Sequence, residues 1–442
     1  MLVFAVPIMA MNLLQLLFNA ADMIVVGRYS GSQALAAVGA TGSLINLIVN
    51  LFMGLSVGTS VIVAQDFGAE KPEEISRSVH TSIVVSAIAG VLVMILGLSV
   101  CTPLLRSMGT PDDIIQLSVL YTRIYFLGLP ASMVYNFGGA VLRAIGDSRR
   151  PMYYLTISGV VNVILNLLFV IAFGMGVAGV AWSTVISQYL AMLLIMACLV
   201  RSEGPIRFSW RLARIHRRKL IDLVKIGLPA GLQGLLFSIS NVLIQSAVNS
   251  FGSVVVAGNA AASNVEGFAS TTLNAYYNAA ITFTGQSMGA EKYDQIDNIA
   301  RVCVVAVLIT WVFLGGGILV FGRSLLGIYT SDPAVVEAGM IRLKVTLAAY
   351  FANGIMNVFP GLTRAMGYSL LPMLCTLVGA CLMRMVWLVT VFAWYPTVMV
   401  LLLCYPVTWT LAGIGQVASF LYARHEIRKR AAARMRTSQA AV

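Results

Sequence analysis

Charge is what this chain has least of: of its 442 residues only 10% are Asp, Glu, Lys or Arg, and three are His. A soluble domain carries charge on about a quarter of its residues, so a chain that is 59% hydrophobic, with a mean hydropathy of +0.88, cannot cover a water-facing surface. His80, His216 and His425 are too scattered to form a zinc site. The six cysteines, Cys101, Cys198, Cys303, Cys375, Cys381 and Cys404, show no Cys-x-x-Cys spacing and fall in or beside apolar runs. They read as small core residues rather than metal ligands or a disulfide set. No nucleophile with a base and no His/Asp/Glu cluster appears in the apolar runs, so an enzyme and a resident cofactor are not expected.

What is present is a series of apolar runs, each near the roughly 20 residues that a helix needs to cross a hydrocarbon core about 30 Å thick. Twelve can be placed, at 2–26, 34–64, 80–100, 115–142, 151–173 and 177–199, then 221–250, 254–283, 299–321, 336–362, 371–391 and 396–422. The expected fold class is an all-α polytopic membrane protein of twelve transmembrane helices. Lys and Arg fall in alternate loops, heavily at Arg143, Arg149 and Arg150, from Arg201 to Lys225, and from Arg424 to Arg436. By the positive-inside rule both termini are cytoplasmic, and the net charge of +12 needs no nucleic-acid partner.

The chain also repeats itself. Gln65-Asp66-Phe67-Gly68-Ala69-Glu70-Lys71 returns as Gln286-Ser287-Met288-Gly289-Ala290-Glu291-Lys292, at a displacement of 286 − 65 = 221. Arg143-Ala144-Ile145-Gly146, with Pro151-Met152 after it, returns as Arg364-Ala365-Met366-Gly367, with Pro372-Met373, again 364 − 143 = 221 residues on. Two copies of six spans each imply parallel repeats, hence two six-helix lobes related by a pseudo-two-fold axis. The expected organisation is an N-terminal lobe at 1–200, a cytoplasmic linker at 201–220, a C-terminal lobe at 221–422 and a basic tail at 423–442. In the linker, Trp210, Leu212, Ile215 and Leu220 suggest a short helix on the membrane surface, a solvated linker being the alternative.

Several spans carry polar stripes at helical spacing. Asn12, Gln15, Asn19 and Asp22 share one face of the first span, Ser43, Asn46 and Asn50 one of the second, Asn162 and Asn166 one of the fifth, and Thr184 and Gln188 one of the sixth. The second copy has Asn241 and Gln245 on the seventh, Glu266, Asn274 and Asn278 on the eighth, and Asn353 and Asn357 on the tenth. One amide pair is usually a packing hydrogen bond, but stripes on so many helices point to a water-accessible cavity in each half, lined by Gln15, Asn19, Asn46, Gln188 and Asn241. Only Asp22 and Glu266 are acids clearly inside spans. A carboxyl at that depth must be neutralised, paired or hydrated, which suits proton exchange at Asp22. Glu266, with Asn274, Asn353 and Arg384, is a candidate second proton or substrate site, with Arg384 as a candidate counter-ion.

Asp22-Met23-Ile24-Val25-Val26-Gly27-Arg28, Gly-Ala-Glu-Lys after spans two and eight, Leu142-Arg143-Ala144-x-Gly146-Asp147, and Gly176-Val177-Ala178-Gly179-Val180-Ala181 together resemble the MATE (multidrug and toxic compound extrusion) family, most closely its DinF-like branch. The resemblance covers nearly the whole chain. It implies a cation-coupled antiporter, monomeric in a bacterial inner membrane, that exports amphiphilic or cationic drug-like molecules with protons as the coupling ion. It also implies a coupling site of Asp22, Asn162, Asn166 and Thr184. Asn166 stands where DinF-type relatives carry a second aspartate. Asn353 stands where NorM-type relatives carry an aspartate, and Phe237 near their span-seven glutamate, so the sodium site of that branch is not expected here. Sodium near Asp22 stays open, because amide and hydroxyl oxygens around one carboxylate can hold a hard cation. A lipid-linked sugar or polysaccharide flippase of the same superfamily is the alternative, and the intramembrane Arg384 is its one sign.

Overall fold

The computed structural model describes the backbone of residues 1–108 and 110–440, and the side chains of these except Ser32, Ser43, Asn46, Leu47 and residues 434–440. The predicted cavity residue Asn46 and its stripe neighbour Ser43 therefore lie outside the described residues. Helices α1 (Leu2–Tyr29), α2 (Ser32–Gly68), α3 (Pro72–Ser107), α4 (Ile115–Leu127), α5 (Leu129–Ala144), α6 (Arg149–Asn166) and α7 (Gly176–Arg201) come first in the chain. They are followed by α8 (Arg217–Asn249), α9 (Ser253–Gly289), α10 (Asp294–Thr310), α11 (Gly316–Gly327), α12 (Pro333–Ala348), α13 (Tyr350–Ala365), α14 (Leu370–Thr376), α15 (Met383–Trp387) and α16 (Val398–Ala440). Helix is the only such architecture that closes all backbone hydrogen bonds inside each apolar run.

Among the described residues the sixteen α-helices follow one another as twelve helical segments, one for each predicted span. Nine helical stretches are long and apolar enough to cross a membrane among the described residues, and the pair α4–α5, bent by 46°, makes ten. The bend falls where Pro130 opens α5 and has no N–H to continue the α4 ladder. The two predicted spans outside that measure are α9 and α12–α13. α9 is continuous, whereas α12 and α13 are two helices of 16 residues each with a break at Ala349; Asn259 and Glu266 on α9 and Arg342 on α12 face one another, as described below.

The chain divides into two compact units, Met1–Gly231 and Leu232–Val442. In the first, α3 and α2 pack on α5, and α6 packs on α1 and α7. The opening turns of α8 belong to this unit as well. Gly227 lies so close to α2 that a Cβ there would stand 2.6 Å from Leu55 Cα, so only glycine permits the approach. In the second unit α13 packs on α9 and α16, and α12 on α9.

Corners of the two units match at the displacement read from the sequence. Gly31 and Gly252 both turn at φ 88°, Gly146 and Gly367 at 97° and 91°, and Glu70 and Glu291 at 52° and 56°. Each pair is 221 residues apart, as in 252 − 31. Glycine fits the left-handed region at the first two sites because it has no Cβ to clash. The hydrogen bonds agree too: Lys71 N–H reaches Asp66 O at 3.3 Å, and Lys292 N–H reaches Ser287 O at 2.9 Å. Wide π turns interrupt the helical passages at Leu167–Ala172, Trp311–Gly315, Leu377–Leu382 and Leu388–Phe392. The first and last begin 388 − 167 = 221 residues apart, whereas the other two have no such partner.

The linker differs from the expected surface helix. It contains two single 3₁₀ turns, Gly204–Ile206 and Trp210–Leu212, and α8 starts only at Arg217. Phe208 is the anchor: it is buried, stacks on His80 with ring centroids 5.1 Å apart, and takes Trp210 edge-on. Ser209 N–H donates to His80 Nε2 at 3.0 Å, and His216 N–H to Thr81 Oγ1 at 3.1 Å. Trp210, Leu212 and Ile215 are instead exposed.

At the start of α8, Lys219 Nζ is clamped by Asp66 Oδ2 at 2.6 Å and Glu74 Oε2 at 2.9 Å. The hydrogen bond from Lys219 holds the Glu74 carboxyl below its ordinary 4.5, against burial, with Arg77 assisting. A folded value below the unfolded one adds stability above pH 4.5 and loses it as the pH falls through the lowered value. The wild-type melting temperature should therefore drop as the pH is lowered from about 5 to about 3, and Lys219→Gln should drop less over that interval. Identical pH profiles from scanning fluorimetry would refute the clamp.

Candidate functional site

The first unit holds a cavity of about 330 Å³ reached by α1, α2, α4, α5, α6 and α7. Asp22 is the one carboxylate on its wall. It is half-buried and accepts a short hydrogen bond on Oδ1 from Asn166 Nδ2. Asn166, fully buried, also donates to Asn162 Oδ1 at 3.4 Å, and its own carbonyl accepts a short bond from Ser183 Oγ. The order Ser183 to Asn166 to Asp22 runs from donor to acceptor throughout. The carboxylate is thus presented by two buried neutral groups, with no cation bonded to it among the described residues.

α1 and α6 pack together, and the spacing of the stripes brings Asp22 against Asn162 and Asn166. Gln15, Asn19 and Gln188 line the same cavity, and so does Thr184. The Thr184 hydroxyl, however, donates to its own helix at Val180 O, 2.9 Å away. Ser183, one residue earlier, supplies the contact instead. Sequence reasoning missed it because a serine in a membrane helix usually bonds its own backbone, as Ser183 also does to Val180 O at 2.8 Å.

The second unit has its own cavity, of about 430 Å³, lined by Glu266, Arg342, Arg384, Asn241, Asn353 and others. Glu266 was expected against Arg384. It is bonded instead by Arg342, Nη2 to Oε2 at 2.9 Å and Nε to Oε1 at 3.2 Å, with Thr346 Oγ1 donating to Oε1 at 2.5 Å. The physical reason is reach: α12 packs directly on α9, whereas Arg384 on α15 turns to α8 and α16. Arg342 Nη1 also donates to Asn259 Oδ1 at 2.5 Å. Arg384 Nη1 donates to Asn241 Oδ1 at 2.7 Å, and Asn357 Nδ2 donates to Asn353 Oδ1 at 2.7 Å. Asn274 accepts from Asn278 Nδ2 at 3.1 Å and is not on the cavity wall.

Among the described residues no group of three or more His, Cys, Asp or Glu is placed to hold a metal. In both cavities the chemistry on offer is recognition and charge transfer.

The MatE family model matches residues 7–168 and again 229–390. The chain is 30% identical over 395 residues to the probable multidrug resistance protein YpnP of Bacillus subtilis, covering 89% of this chain and 88% of that one. It is 29% identical over 385 residues to the probable multidrug resistance protein YoeA of the same organism, covering 84% and 82%. Its fold is similar to that of a multidrug resistance MATE family transporter of the MOP superfamily solved in an outward-facing conformation. That similarity has a TM-score of 0.86 at 23% identity and covers 96% of this chain and 95% of that one. With both halves of its length matched by the family model, this chain belongs to the MatE family: it is a multi-span membrane transporter of two-lobe fold, and not an enzyme.

Proposed function

We propose that the protein is a cation-coupled antiporter that exports amphiphilic or cationic small molecules by alternating access, with the proton as coupling ion and Asp22 as the group that carries it. One observation carries the reading: a single carboxylate on the cavity wall of the first unit is held by Asn166, and among the described residues no cation is bonded to it. Such a carboxyl can exist either charged and hydrated or neutral and bonded to amides, and the two forms place different demands on α1 and α6. A proton shifts the balance of carrier states only through that difference. The relatives named for multidrug resistance support the substrate class. The distribution of Lys and Arg supports cytoplasmic termini in a bacterial inner membrane, and each unit holds a complete cavity of its own, as a monomer in lipid requires.

Asn162, Asn166 and Ser183 are the groups that would orient the Asp22 carboxyl. Sodium is the second ion to test, since the oxygens of Asn162, Asn166 and Ser183 lie in the same cluster and would hold it by exchanging their present hydrogen bonds. In proteoliposomes with proton and sodium gradients imposed separately, a lipophilic cation such as ethidium should be transported when only the proton gradient is present. Transport that follows the sodium gradient with the proton gradient collapsed would overturn proton coupling.

A further inference from the structure

We infer that the cavity of the second unit is a binding site for an anionic oxy-group, a carboxylate, sulfonate or phosphate carried at one end of an aromatic or amphiphilic molecule. This rests on the reading of the chain as an exporter and names a class of molecule that its second unit takes.

The argument is one of charge. Two guanidinium groups and one carboxylate line the cavity. Glu266 is fully engaged by Arg342 and Thr346, so this pair cancels. Arg384 is left as the excess charge at 1% exposure, and every acceptor it reaches is neutral: Asn241 at 2.7 Å, Ser240 at 3.4 Å and Thr408 at 3.5 Å. Its Nη2 has no hydrogen-bond partner among the described residues. A guanidinium so far from water is stable only where something offsets its charge.

The rings around it do so in part. Phe237 and Tyr405 lie under the guanidinium carbon at 4.9 and 5.1 Å from their centroids. Such contacts contribute at most about 2 kcal/mol each when desolvated, less than a full counter-ion. They also fix the guanidinium plane, which leaves the two N–H bonds of Nη2 as a small fork able to donate to the oxygens of a carboxylate or phosphate.

A second donor points to the same ligand chemistry. Trp409 Nε1 is buried without a hydrogen-bond partner among the described residues, and Trp409 lines the same cavity, its ring 5.5 Å from Tyr405. The two fully buried side-chain atoms of these lining residues that lack a hydrogen-bond partner among the described residues are thus both N–H donors, the polarity that an anion meets. The aromatic surface of Phe237, Tyr350, Tyr405 and Trp409 suits an apolar or aromatic body attached to the anion.

The test is binding to the purified full-length protein in nanodiscs without any ion gradient, so that it stands apart from proton coupling at Asp22. Three probes share one ring system: 2-naphthalenesulfonate, 2-naphthoate and 2-naphthylmethylammonium. In discs of neutral lipid the two anions should bind saturably and the ammonium probe at least tenfold more weakly. Arg384→Gln should weaken the anions at least tenfold and leave the ammonium probe unchanged. Arg384→Lys, which keeps the charge but not the fork, should fall between. Trp409→Phe, which keeps the ring and removes only the N–H, should weaken the anions severalfold. Thermal melting confirms that each variant is folded.

Repeating the titration with phosphatidylglycerol in the discs separates the sources. Unchanged affinity assigns the site to a soluble anion, and competition by the anionic lipid assigns it to a headgroup. The inference is overturned if wild-type protein binds neither anion saturably, if Arg384→Gln binds them as wild type does, or if the ammonium probe displaces either anion as well as the other anion does.

Discussion

Asp22→Asn should reduce proton-driven export to the level of passive leak while leaving the protein folded. The substitution keeps the shape of the side chain and keeps a carbonyl oxygen to accept the bond from Asn166 Nδ2. What it removes is the ability to exist in two charge states. Coupling depends on the two carrier states having different affinity for the ion, and a side chain that never binds a proton has no such difference to offer. A loss of tenfold or more, equivalent to about 1.4 kcal/mol, should appear in gradient-driven uptake into inverted vesicles. Counterflow with no gradient should be far less affected, since substrate exchange needs no net proton movement. The melting temperature should stay close to wild type because no buried partner is orphaned. Asp22→Asn vesicles that still accumulate substrate against its gradient would sink the assignment.

Glu266→Ala should be the most destabilising single substitution in the second unit. Arg342 is 8% exposed, and Glu266 provides both of its charged contacts. Removing one member of such a pair leaves a buried charge with only neutral groups to meet it, Asn259 and the ring of Tyr405 among them, at a cost of about 3–5 kcal/mol. In detergent that is a fall in melting temperature on the order of 10 °C. Removing both members together is a different matter, because desolvating two ions largely cancels what their attraction returns. Glu266→Met combined with Arg342→Leu should melt within a few degrees of wild type. A single variant that melts like wild type would mean that the pair is hydrated and free to exchange. The expected pattern separates the two membrane acids: Glu266 is tied to a permanent cation, whereas Asp22 is bonded to neutral groups alone.

The corners of the fold were easy to read because they tolerate few residue types. Gly146 and Gly367 turn through the left-handed region, so a repeat of that backbone forces a repeat of those letters. Hydropathy marks the passages for a similar reason, since the bilayer accepts only long apolar helices. Stripes on single helices marked polar faces at Asp22 and at Asn162 and Asn166, but only the family resemblance joined them into one cluster, in which Asn166 bonds the carboxylate and Asn162 bonds Asn166.

Pairing across helices was harder to see. Arg342 and Glu266 are 76 residues apart and nothing in either local sequence names the other. From the sequence Arg384 is the candidate counter-ion, and Arg342, which lies in the tenth predicted span, is not considered. In the linker, Trp210, Leu212 and Ile215 suggested a helix face, but Phe208 decides the conformation by stacking on His80. A ring that fits one particular surface leaves no periodic trace in the sequence.

The π turn that begins at Leu167, directly after Asn166, also bears on how such stripes are drawn. An α-helix advances about 100° per residue, so a wheel plotted straight through the fifth passage would carry the face of Asn162 and Asn166 on to its end. A wide turn takes up additional residues without advancing the helix as far, and everything after it is swung to another side. The amides beside Asp22 therefore sit at the end of one register, and Val170 and the residues that follow belong to a second. The same offset begins at Leu388 in the other half. A one-residue deletion in either segment would act less like the loss of a side chain than like turning a key in its lock.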